Sequence, residues 1–488
     1  MNVEDKSLNY AELVYLVERE ILSNTEINLS RPLKDHLLQR ICQPLFSLIH
    51  YDEKFKRSTD KKVDLSKLLV TAKIILKNKS LKLNLIQQIR WYLILCIFTI
   101  WTVIYILFAK KLNSHTRLNL IYGMAHEHIY LNSKKINCTN FFERINPIWI
   151  KSNSQILIEL RKINFSFEKS KDNFRIVNNI SLYLLKFSSE NRFRTISRIV
   201  KKFFHILKLS RKNSVVLLSG KEILLESSGD LVFEQIESLS TTVGQIFVQP
   251  YLFHLLVNTP KEMYWYSNNS KTFSKKETNN FEGDTSFYKF AKIDKHYVWT
   301  EDFGNELKKY TGKQFEVLDY VLFYDPTHNN KLRDLGILIF DVIPQKRYKN
   351  NTFYSENNCI KFLQDVLEVN TILNGKYHLG VLTLKNKRAF YKGHSALYIK
   401  TIKNLNKAQH INLLDVNSNL FESIYQAKIV IAMPYSTPAL IAHRLGVSSC
   451  YYNPDCSYNL GSSMDGIEVI EGKENLLQFC KMQFENSQ

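Results

Sequence analysis

The spacing of apolar residues divides the chain into a helical beginning and a longer part in which short strands alternate with helices. Near the start, apolar residues recur at helical spacing over 11–22, and a second helix is predicted from Pro32 towards His50. From Leu118 onward, short apolar runs predict strands, and the amphipathic stretches between them predict helices. This alternation is typical of parallel sheets with crossover helices, so the chain is predicted to be an α/β protein.

Two α/β parts follow one another, with a break near residue 330. Strands are predicted in the first part at 119–124, 155–165, 214–218, 245–248, 263–266, 297–300 and 317–323, and helices at 193–209 and 230–238. In the second part, strands are predicted at 336–340, 377–384, 411–414, 427–432 and 448–452. Helices are predicted there at 359–370, 394–404, 420–426, 439–445 and 473–484.

The segment 91–109 is an unbroken apolar run without a charge. About 20 such residues span the hydrocarbon core of a bilayer as a helix, so the segment is predicted to associate with a membrane. The preceding stretch 65–86 is basic and amphipathic, which is typical of helices on anionic lipid, although a solvated face would have the same pattern. Because both flanks are basic, the segment either spans the bilayer or lies in its interface; a buried core helix is the remaining alternative.

The stretch 429–442 combines a buried strand, a proline, two hydroxyl residues and a helix. Strands of doubly wound folds end at the edge of the sheet where ligands bind, and the following helix offers backbone N–H groups to an anion. Ser436 and Thr437 are predicted either to cap this helix or to bind a phosphate oxygen, and Pro438 is compatible with its first turn. Helix capping alone would explain the same pattern.

Composition narrows the classes of partner. The formal net charge of +20 favours anionic partners, and the chain lacks the common nucleic-acid-binding signatures, so no nucleic acid is predicted. The seven cysteines are scattered without a C-x-x-C pair, which favours reduced thiols and predicts neither a disulfide framework nor a metal site.

Residues 434–437 read Pro-Tyr-Ser-Thr, residues 339–344 read Ile-Phe-Asp-Val-Ile-Pro, and residues 384–388 read Leu-Lys-Asn-Lys-Arg. Together they resemble a bacterial polysaccharide-biosynthesis family named for its P-F-T-S motif, whose members are glycosyltransferases with two Rossmann-like domains (GT-B type). The first segment is similar to the name motif, with Tyr for Phe and the two hydroxyl residues exchanged; the second resembles the family's F-D-V-x-P segment, and the third its K-P-K-R run without the proline. The resemblance is strongest over 330–470 and general over 90–330.

The resemblance implies a domain organisation and a donor site. A basic helical region (1–90) and an apolar membrane segment (91–109) precede an acceptor-side Rossmann-like domain (118–330) and a nucleotide-sugar-binding Rossmann-like domain (331–488). The implied donor-binding residues are Lys385, Lys387, Arg388, Pro434, Tyr435, Ser436 and Thr437. The cations would neutralise the departing nucleotide, which removes the need for a metal or a resident cofactor. Asp341, at the end of a strand, would reach a sugar or ribose hydroxyl, or only cap the turn that follows.

A general base is predicted at a strand end. Glu127, within His126-Glu127-His128, and Glu301, followed by Asp302, are the candidates beside Asp341. The two histidines are two residues apart and cannot share a helical face, so they are not the metalloprotease motif.

The predicted function is glycosyl transfer from a nucleotide-sugar to a surface glycan or lipid-linked acceptor, at the bacterial inner membrane with the catalytic domains in the cytoplasm. An anionic membrane surface is a predicted partner. The alternatives are a catalytically silent scaffold of a polysaccharide assembly complex, a phosphopolyol transferase, or a sugar-nucleotide epimerase on the same fold.

Overall fold

The computed structural model gives the conformation of most of the chain. The residues it describes are 10–18, 30–51, 74–77, 80–108, 117–124, 154–160, 169–171, 174–177, 179–186, 192–226, 233–242, 248–265, 273–276, 281–282, 286–318, 334–344, 353–386, 390, 394–416, 418–460 and 463–486.

The chain begins with helices and one hairpin. In order they are α1 (Tyr10–Val17), α2 (Arg31–Tyr51), β1 (Ile74–Lys77), β2 (Ser80–Leu83) and α3 (Leu85–Phe108). A helix over the basic stretch 65–86 is therefore wrong for residues 74–77 and 80–83, because β1 and β2 pair antiparallel there. The alternation of Leu81, Lys82 and Leu83 has the period of a strand, and pairing satisfies the backbone groups on the facing edges of the two strands. The Leu83 N–H also donates to Ser214 Oγ at 2.8 Å.

The next part of the chain alternates strands with helices. It contains β3 (Leu118–Met124), β4 (Gln155–Leu160), β5 (Lys169–Lys171), β6 (Phe174–Val177), α4 (Ile180–Leu184), α5 (Arg192–Lys212), α6 (Gly220–Glu226), β7 (Ile236–Thr241), α7 (Tyr251–Leu255), β8 (Lys261–Tyr264), β9 (Phe273–Lys275), β10 (Phe281–Glu282), β11 (Lys295–Val298), α8 (Glu301–Thr311) and β12 (Gln314–Val317). Short 3₁₀ turns lie at Ser214–Ser219, Phe233–Gln235 and Ser286–Phe290.

An eight-stranded sheet has the order β12-β11-β8-β7-β3-β4-β6-β5. The pairs from β11 to β6 are parallel, and β5 is antiparallel to β6. The first strand in sequence, β3, is central, with β4 and β6 added on one side and β7, β8 and β11 on the other. This is the order of a doubly wound sheet.

Two predicted elements in this part are wrong. The run 214–218 is not a strand but a 3₁₀ helix whose first turn is capped by the Asn213 side chain, which accepts from the Val215 N–H. Its β-branched residues favour a strand locally, but burial on all sides within a helical core overrides that preference. The predicted helix 230–238 has only a three-residue 3₁₀ turn in its described part, and strand β7 begins at Ile236 because β3 and β8 pair with it.

The remaining elements form a second sheet. They are β13 (Leu335–Phe340), α9 (Glu356–Tyr377), β14 (Leu382–Lys385), α10 (Ala396–Lys407), β15 (Ile411–Leu414), α11 (Leu420–Gln426), β16 (Ala427–Ala432), α12 (Thr437–Arg444), β17 (Ser448–Asn453), β18 (Tyr458–Asn459), β19 (Ser463–Met464), β20 (Ile467–Glu471) and α13 (Lys473–Glu485). The seven strands have the order β15-β14-β13-β16-β17-β20-β19, and all pairs are parallel except β19 with β20.

The six parallel strands of this second sheet have the doubly wound order 3-2-1-4-5-6, counted in sequence from β13. The predicted fold class of two mainly parallel α/β parts is therefore confirmed at this level. A separate three-stranded antiparallel sheet joins β10, β9 and β18.

The chain forms two compact units, each made of three segments. Unit 1 comprises Met1–Tyr266, Ser286–Tyr297 and Leu307–Glu316, and unit 2 comprises Ser267–Thr285, Val298–Glu306 and Val317–Gln488. Beside its sheet, unit 1 has a core of helices in which buried residues of α1, α2, α3, α5 and α6 pack around the 3₁₀ helix Ser214–Ser219. Unit 2 has its core on both faces of the second sheet, where strand residues such as Leu338 and Val430 are fully buried.

Candidate functional site

The second sheet has its topological switch point between β13 and β16. The chain adds β14 and β15 on one side of β13 and then returns to the other side to form β16. Phe340 and Ala432, the last residues of these two strands, are paired in register. Asp341 and Met433 therefore leave the sheet side by side, at the edge where doubly wound folds bind ligands.

The chain makes a tight turn as it leaves β16. The Ser436 N–H donates to the Met433 carbonyl at 3.2 Å, which closes a four-residue turn. Pro434 occupies the second position, and Tyr435 occupies the third with a φ of 65°. This is the pattern of a type II turn, whose third position favours glycine or asparagine. A tyrosine in this left-handed conformation costs about 1–2 kcal/mol, so other contacts must hold it there.

Those contacts come from buried aromatic residues. The Tyr354 hydroxyl donates to the Pro434 carbonyl at 2.6 Å. The Tyr435 ring is buried and meets the Tyr451 ring edge-on at 6.3 Å between centroids, and its hydroxyl donates to the Leu460 carbonyl at 3.5 Å. Burial raises the pKa of Tyr435 to about 12. The Tyr435 side chain is therefore neutral, and its buried ring holds the turn in place through these contacts.

The two hydroxyl residues of the motif have different positions. Ser436 is the N-cap residue of α12, but its hydroxyl donates to the Met433 carbonyl at 2.7 Å and does not cap the helix. Thr437 is the first residue of α12, and Pro438 lies in its first turn. Of the two roles predicted for Ser436, the structure therefore does not show helix capping. The hydroxyl instead strengthens the turn that Tyr435 strains.

Asp341 lies at the switch point but is buried, with a relative exposure of 4%. Its carboxylate accepts a hydrogen bond from the Tyr398 hydroxyl of α10 at 3.2 Å. The Cys359 thiol of α9 donates to the carbonyl of Val342, the residue after Asp341. Burial raises the pKa of both Tyr398 and Cys359, and the Asp341 charge raises them further. The described contacts of Asp341 thus connect the end of β13 to α10.

Lys385, the last residue of β14, is also buried. Its ammonium group donates to the carbonyls of Asp415 at 3.4 Å and Val416 at 3.2 Å. Burial lowers the pKa of Lys385, and the Asp415 carboxylate partly offsets that effect. In this structure Lys385 therefore supports the loop after β15 through hydrogen bonds to neutral carbonyl groups.

Three predicted site residues lie outside the described residues: Glu127, Lys387 and Arg388. Glu301 is described, and it lies exposed in the first turn of α8. Its neighbour Asp302 accepts from the Asp465 N–H at 3.3 Å. The switch point therefore brings together Asp341, Pro434, Tyr435, Ser436 and Thr437. Helix α8, which begins at Glu301, also carries Glu306, whose charge acts on Tyr435.

Sequence reasoning missed the residues that hold this region in place. Tyr354 and Tyr398 supply the hydroxyl groups described above, and neither lies in a motif. The Ser395 N–H donates to the Pro344 carbonyl at 2.8 Å, and its hydroxyl donates to the Glu356 carboxylate. The one signal in the sequence was helix capping, because Ser355 and Ser395 precede helices and cap them.

With this geometry established, comparison with known proteins gives one family. The family model described as "Polysaccharide biosynthesis PFTS motif protein" matches residues 254–480. The predicted resemblance is confirmed. The PFTS-family match includes the whole second sheet and the turn at Pro434-Tyr435-Ser436. A search of curated proteins gives no match.

The solved structures that are similar to this chain have low sequence identities and low TM-scores. A UDP-forming trehalose-phosphate synthase from Burkholderia xenovorans has 9% identity and a TM-score of 0.39, covering 76% of this chain and 90% of that one. The wall teichoic acid polymerase TagF, H548A variant, has 10% identity and a TM-score of 0.40, covering 82% and 91%. A structure described as trehalose-6-phosphate from E. coli with UDP-2-fluoro glucose has 9% identity and a TM-score of 0.40, covering 75% and 91%.

Among the residues that the structure describes, no group of three or more His, Cys, Asp or Glu side chains is arranged to hold a metal ion. The described cysteines are free, and all but Cys96 and Cys456 are buried.

Proposed function

We propose that the protein is a GT-B-type glycosyltransferase of polysaccharide biosynthesis, which moves a sugar from a nucleotide-sugar to a glycan or lipid-linked acceptor. One observation carries the proposal. The segment that matches the polysaccharide-biosynthesis family contains a strained turn at the switch point of a doubly wound sheet, directly before a helix. Strain at such a place is retained when it shapes a binding site, because packing alone would favour a relaxed residue.

The donor phosphates would lie at the start of α12, beside Ser436 and Thr437. The N-terminal end of a helix favours an anion through its N–H groups and its dipole. Lys387 and Arg388 follow β14, whose end is at the same edge of the sheet, and would supply the positive charge. In this scheme Lys385 and Asp341 are positioning residues, since their described contacts are to the protein itself.

The proposed reaction forms one bond and breaks one. An acceptor hydroxyl oxygen bonds to the anomeric carbon of the sugar, and the bond from that carbon to the nucleotide phosphate breaks. The hydroxyl proton passes to a base, for which Glu127 and Glu301 stay candidates, and the nucleotide leaves with its negative charge stabilised by the cations. The chemistry as proposed uses the donor as a substrate and no resident cofactor or metal.

We also propose that the protein acts at the cytoplasmic face of the bacterial inner membrane. The support is chemical: nucleotide-sugars are cytoplasmic, and α3 is long and apolar enough to associate with lipid.

The test uses the full-length purified protein. Thermal-shift measurements against uridine, cytidine, guanosine and thymidine nucleotides identify the donor class, because a ligand of the folded state raises the unfolding temperature. Turnover of the matching nucleotide-sugar is then measured for wild type, Ser436→Ala and Arg388→Ala. We expect donor affinity or turnover to fall about 10- to 100-fold in each variant, the range expected for a lost hydrogen bond to a charged group. For Ser436 this requires the hydroxyl to turn from the Met433 carbonyl to the phosphate when the donor binds.

Ser449→Ala is the matched control. The Ser449 hydroxyl also donates to a backbone carbonyl, that of Ala439 at 3.0 Å, but it lies near the start of β17, away from the carboxyl edge. Equal losses in Ser436→Ala and Ser449→Ala would indicate a stability effect. Full activity in both Ser436→Ala and Arg388→Ala would refute the assigned site.

A catalytically silent scaffold is the second candidate. It is favoured by the burial of Asp341 and Lys385 and by their bonds to protein groups. Failure of the folded protein to bind or consume any nucleotide-sugar would support the scaffold and refute the enzyme. Turnover of a cytidine-linked polyol would identify a phosphopolyol transferase, and epimerisation of a sugar-nucleotide without an acceptor would identify an epimerase.

A further inference from the structure

Helix α3 carries an apolar stripe along its whole outer side. The stripe comprises Ile86, Ile89, Leu93, Ile97, Ile100, Ile104 and Phe108. These residues recur every three or four positions and therefore lie on one face of the helix. Their relative exposures run from 48% at Ile104 to 84% at Phe108. Only 22% of the most apolar 18-residue window of α3 is buried, so α3 contributes one face to the core of unit 1 and leaves the rest of its apolar surface exposed.

The opposite face of α3 is attached to unit 1 near the start of the helix and in its middle. The Tyr92 hydroxyl is 2.9 Å from Ser210 Oγ of α5. Leu95 is buried, and its side chain lies against Gly220, where a Cβ would be only 3.3 Å away. The Lys221 ammonium group lies 5.0 Å from the centroid of the Phe98 ring.

The attachment continues to the end of the helix. The Lys186 ammonium group lies 5.5 Å from the centroid of the Tyr105 ring. The Arg192 guanidinium donates to the Leu107 carbonyl at 2.8 Å. Since α5 meets the end of α3 with its first residue and the beginning of α3 with Ser210, the two helices are antiparallel.

These contacts are incompatible with a helix that crosses a bilayer alone. The 24 residues of α3 are about 36 Å long, so a spanning orientation would carry its neighbours through the hydrocarbon core. Lys221, which lies beside Phe98 in the middle of α3, would then lie in hydrocarbon, where a charge is costly. An orientation in the plane of the interface leaves this cation near the headgroups.

Helix α5 has the composition of an interfacial helix. It contains eight cations and no acidic residue: Arg192, Arg194, Arg198, Lys201, Lys202, Lys208, Arg211 and Lys212. Apolar residues are exposed between them, with Phe193 at 81% and Phe204 at 62%. Exposed aromatic residues among clustered lysines and arginines are typical of helices on anionic lipid.

We infer that α3 and α5 together form a lipid-binding surface that lies flat on an anionic bilayer, with the outer stripe of α3 in the acyl boundary and the cations of α5 at the headgroups. The occupant is a bilayer and not another protein, because a long apolar stripe and a cationic helix free of acids complement acyl chains and anionic headgroups together. The inference deepens the membrane association within the proposed function. It depends on lipid binding alone and not on sugar transfer.

The first experiment measures binding of the full-length protein to vesicles of phosphatidylcholine, with and without phosphatidylglycerol. The charge-reversal variant is Lys201→Glu with Lys208→Glu, and the matched control is Lys308→Glu with Lys309→Glu, on the exposed side of α8. We expect the α5 variant to lose at least about 30-fold in partition to anionic vesicles, and the α8 control to lose much less. Ile97→Gln with Ile100→Gln should weaken binding to both kinds of vesicle.

The second experiment distinguishes a flat helix from a spanning one. A fluorescent amino acid replaces Ile89, Ile97 or Ile104 in turn, and lipid-borne quenchers report its depth. A flat helix gives one depth at all three positions. A spanning helix places Ile97 about 12 Å deeper than Ile89, from a rise of 1.5 Å per residue.

The two experiments test the orientation of α3, the role of α5 and the identity of the bound surface separately. A deeper Ile97, with resistance to extraction by alkaline carbonate, would refute the flat orientation. Equal binding of the α5 variant and the α8 control would refute the role of α5. A change of oligomeric state in Ile97→Gln with Ile100→Gln, without vesicle binding by wild type, would assign the stripe to a second copy of the chain. Vesicle binding without any sugar transfer would leave the lipid surface standing and refute the proposed enzyme.

Discussion

Two glycines of unit 2 should respond in opposite directions to the same substitution. Gly336 is the second residue of β13, the strand that ends at Asp341. A Cβ at this position would lie 2.5 Å from the Leu379 carbonyl oxygen and 2.8 Å from the Leu379 Cβ. Gly375 lies in α9, and a Cβ there would meet nothing within 4 Å.

The magnitudes follow from these surroundings. In Gly336→Ala the clash is with backbone, which cannot rotate away, so β13 or Leu379 must move at a cost of about 1–3 kcal/mol. In Gly375→Ala the helix gains about 0.5–1 kcal/mol, because alanine loses less conformational freedom on folding. For a unit of this size, we expect the unfolding temperature to fall by about 2–12 °C in the first variant and to rise by about 1–4 °C in the second.

Thermal unfolding of the full-length variants is the primary assay. Hydrogen exchange of the β13 amides is measured in parallel, because the chain need not unfold in one step and exchange reports the local free energy of opening. The reasoning is refuted if both variants shift in the same direction, or if Gly336→Ala leaves the exchange of the β13 amides unchanged.

The remaining predictions concern Tyr435 and Glu159. Tyr435→Phe should change the free energy of unfolding by less than about 0.5 kcal/mol, because the lost hydrogen bond to the Leu460 carbonyl is long. Tyr435→Gly should lower the free energy of unfolding by about 2–3 kcal/mol net, because the loss of the buried ring outweighs the relief of backbone strain. Denaturant melts measure both variants, and a glycine variant more stable than wild type would contradict this reasoning. Burial raises the pKa of Glu159 to about 7, so its deprotonation destabilises the fold as pH rises from about 4.5 to 7. Glu159→Gln should match wild type at pH 4.5 and exceed it by up to about 3 kcal/mol at pH 8, measured as the difference between urea melts, and a difference independent of pH would exclude this effect.

The second sheet could be predicted well because its signals are local. The run Ile429–Ala432 is apolar without interruption, and Pro434 cannot continue a central strand, so both the strand and its end follow from the sequence. The 3₁₀ helix Ser214–Ser219 could not be predicted in the same way. Its Val-Val-Leu-Leu run favours a strand locally, and only the surrounding helices, which are distant in sequence, determine its conformation.

The carboxyl edge of the second sheet could be located from the sequence, but the side-chain contacts at that edge could not be predicted. Strand ends predicted the sheet edge at Asp341 and Pro434, because all parallel strands end on the same side. The direction of each side chain depends on tertiary contacts. Lys385 stands two residues before Lys387 in a basic run, yet its ammonium group binds the carbonyls of Asp415 and Val416.

The interleaving of the two units determines how the protein can be divided. Unit 2 takes β9 from the segment Ser267–Thr285 and pairs it with β18, through Lys275 with Tyr458. Unit 2 also includes Trp299, whose carbonyl accepts a hydrogen bond from the Arg444 guanidinium at the end of α12. A fragment that starts at residue 331 would lack both, and no single cleavage point yields two intact halves. Experiments on donor binding therefore require the whole chain, and a single proteolytic cut near residue 330 should not yield an intact unit 2, because β9 and Trp299 stay on the N-terminal fragment.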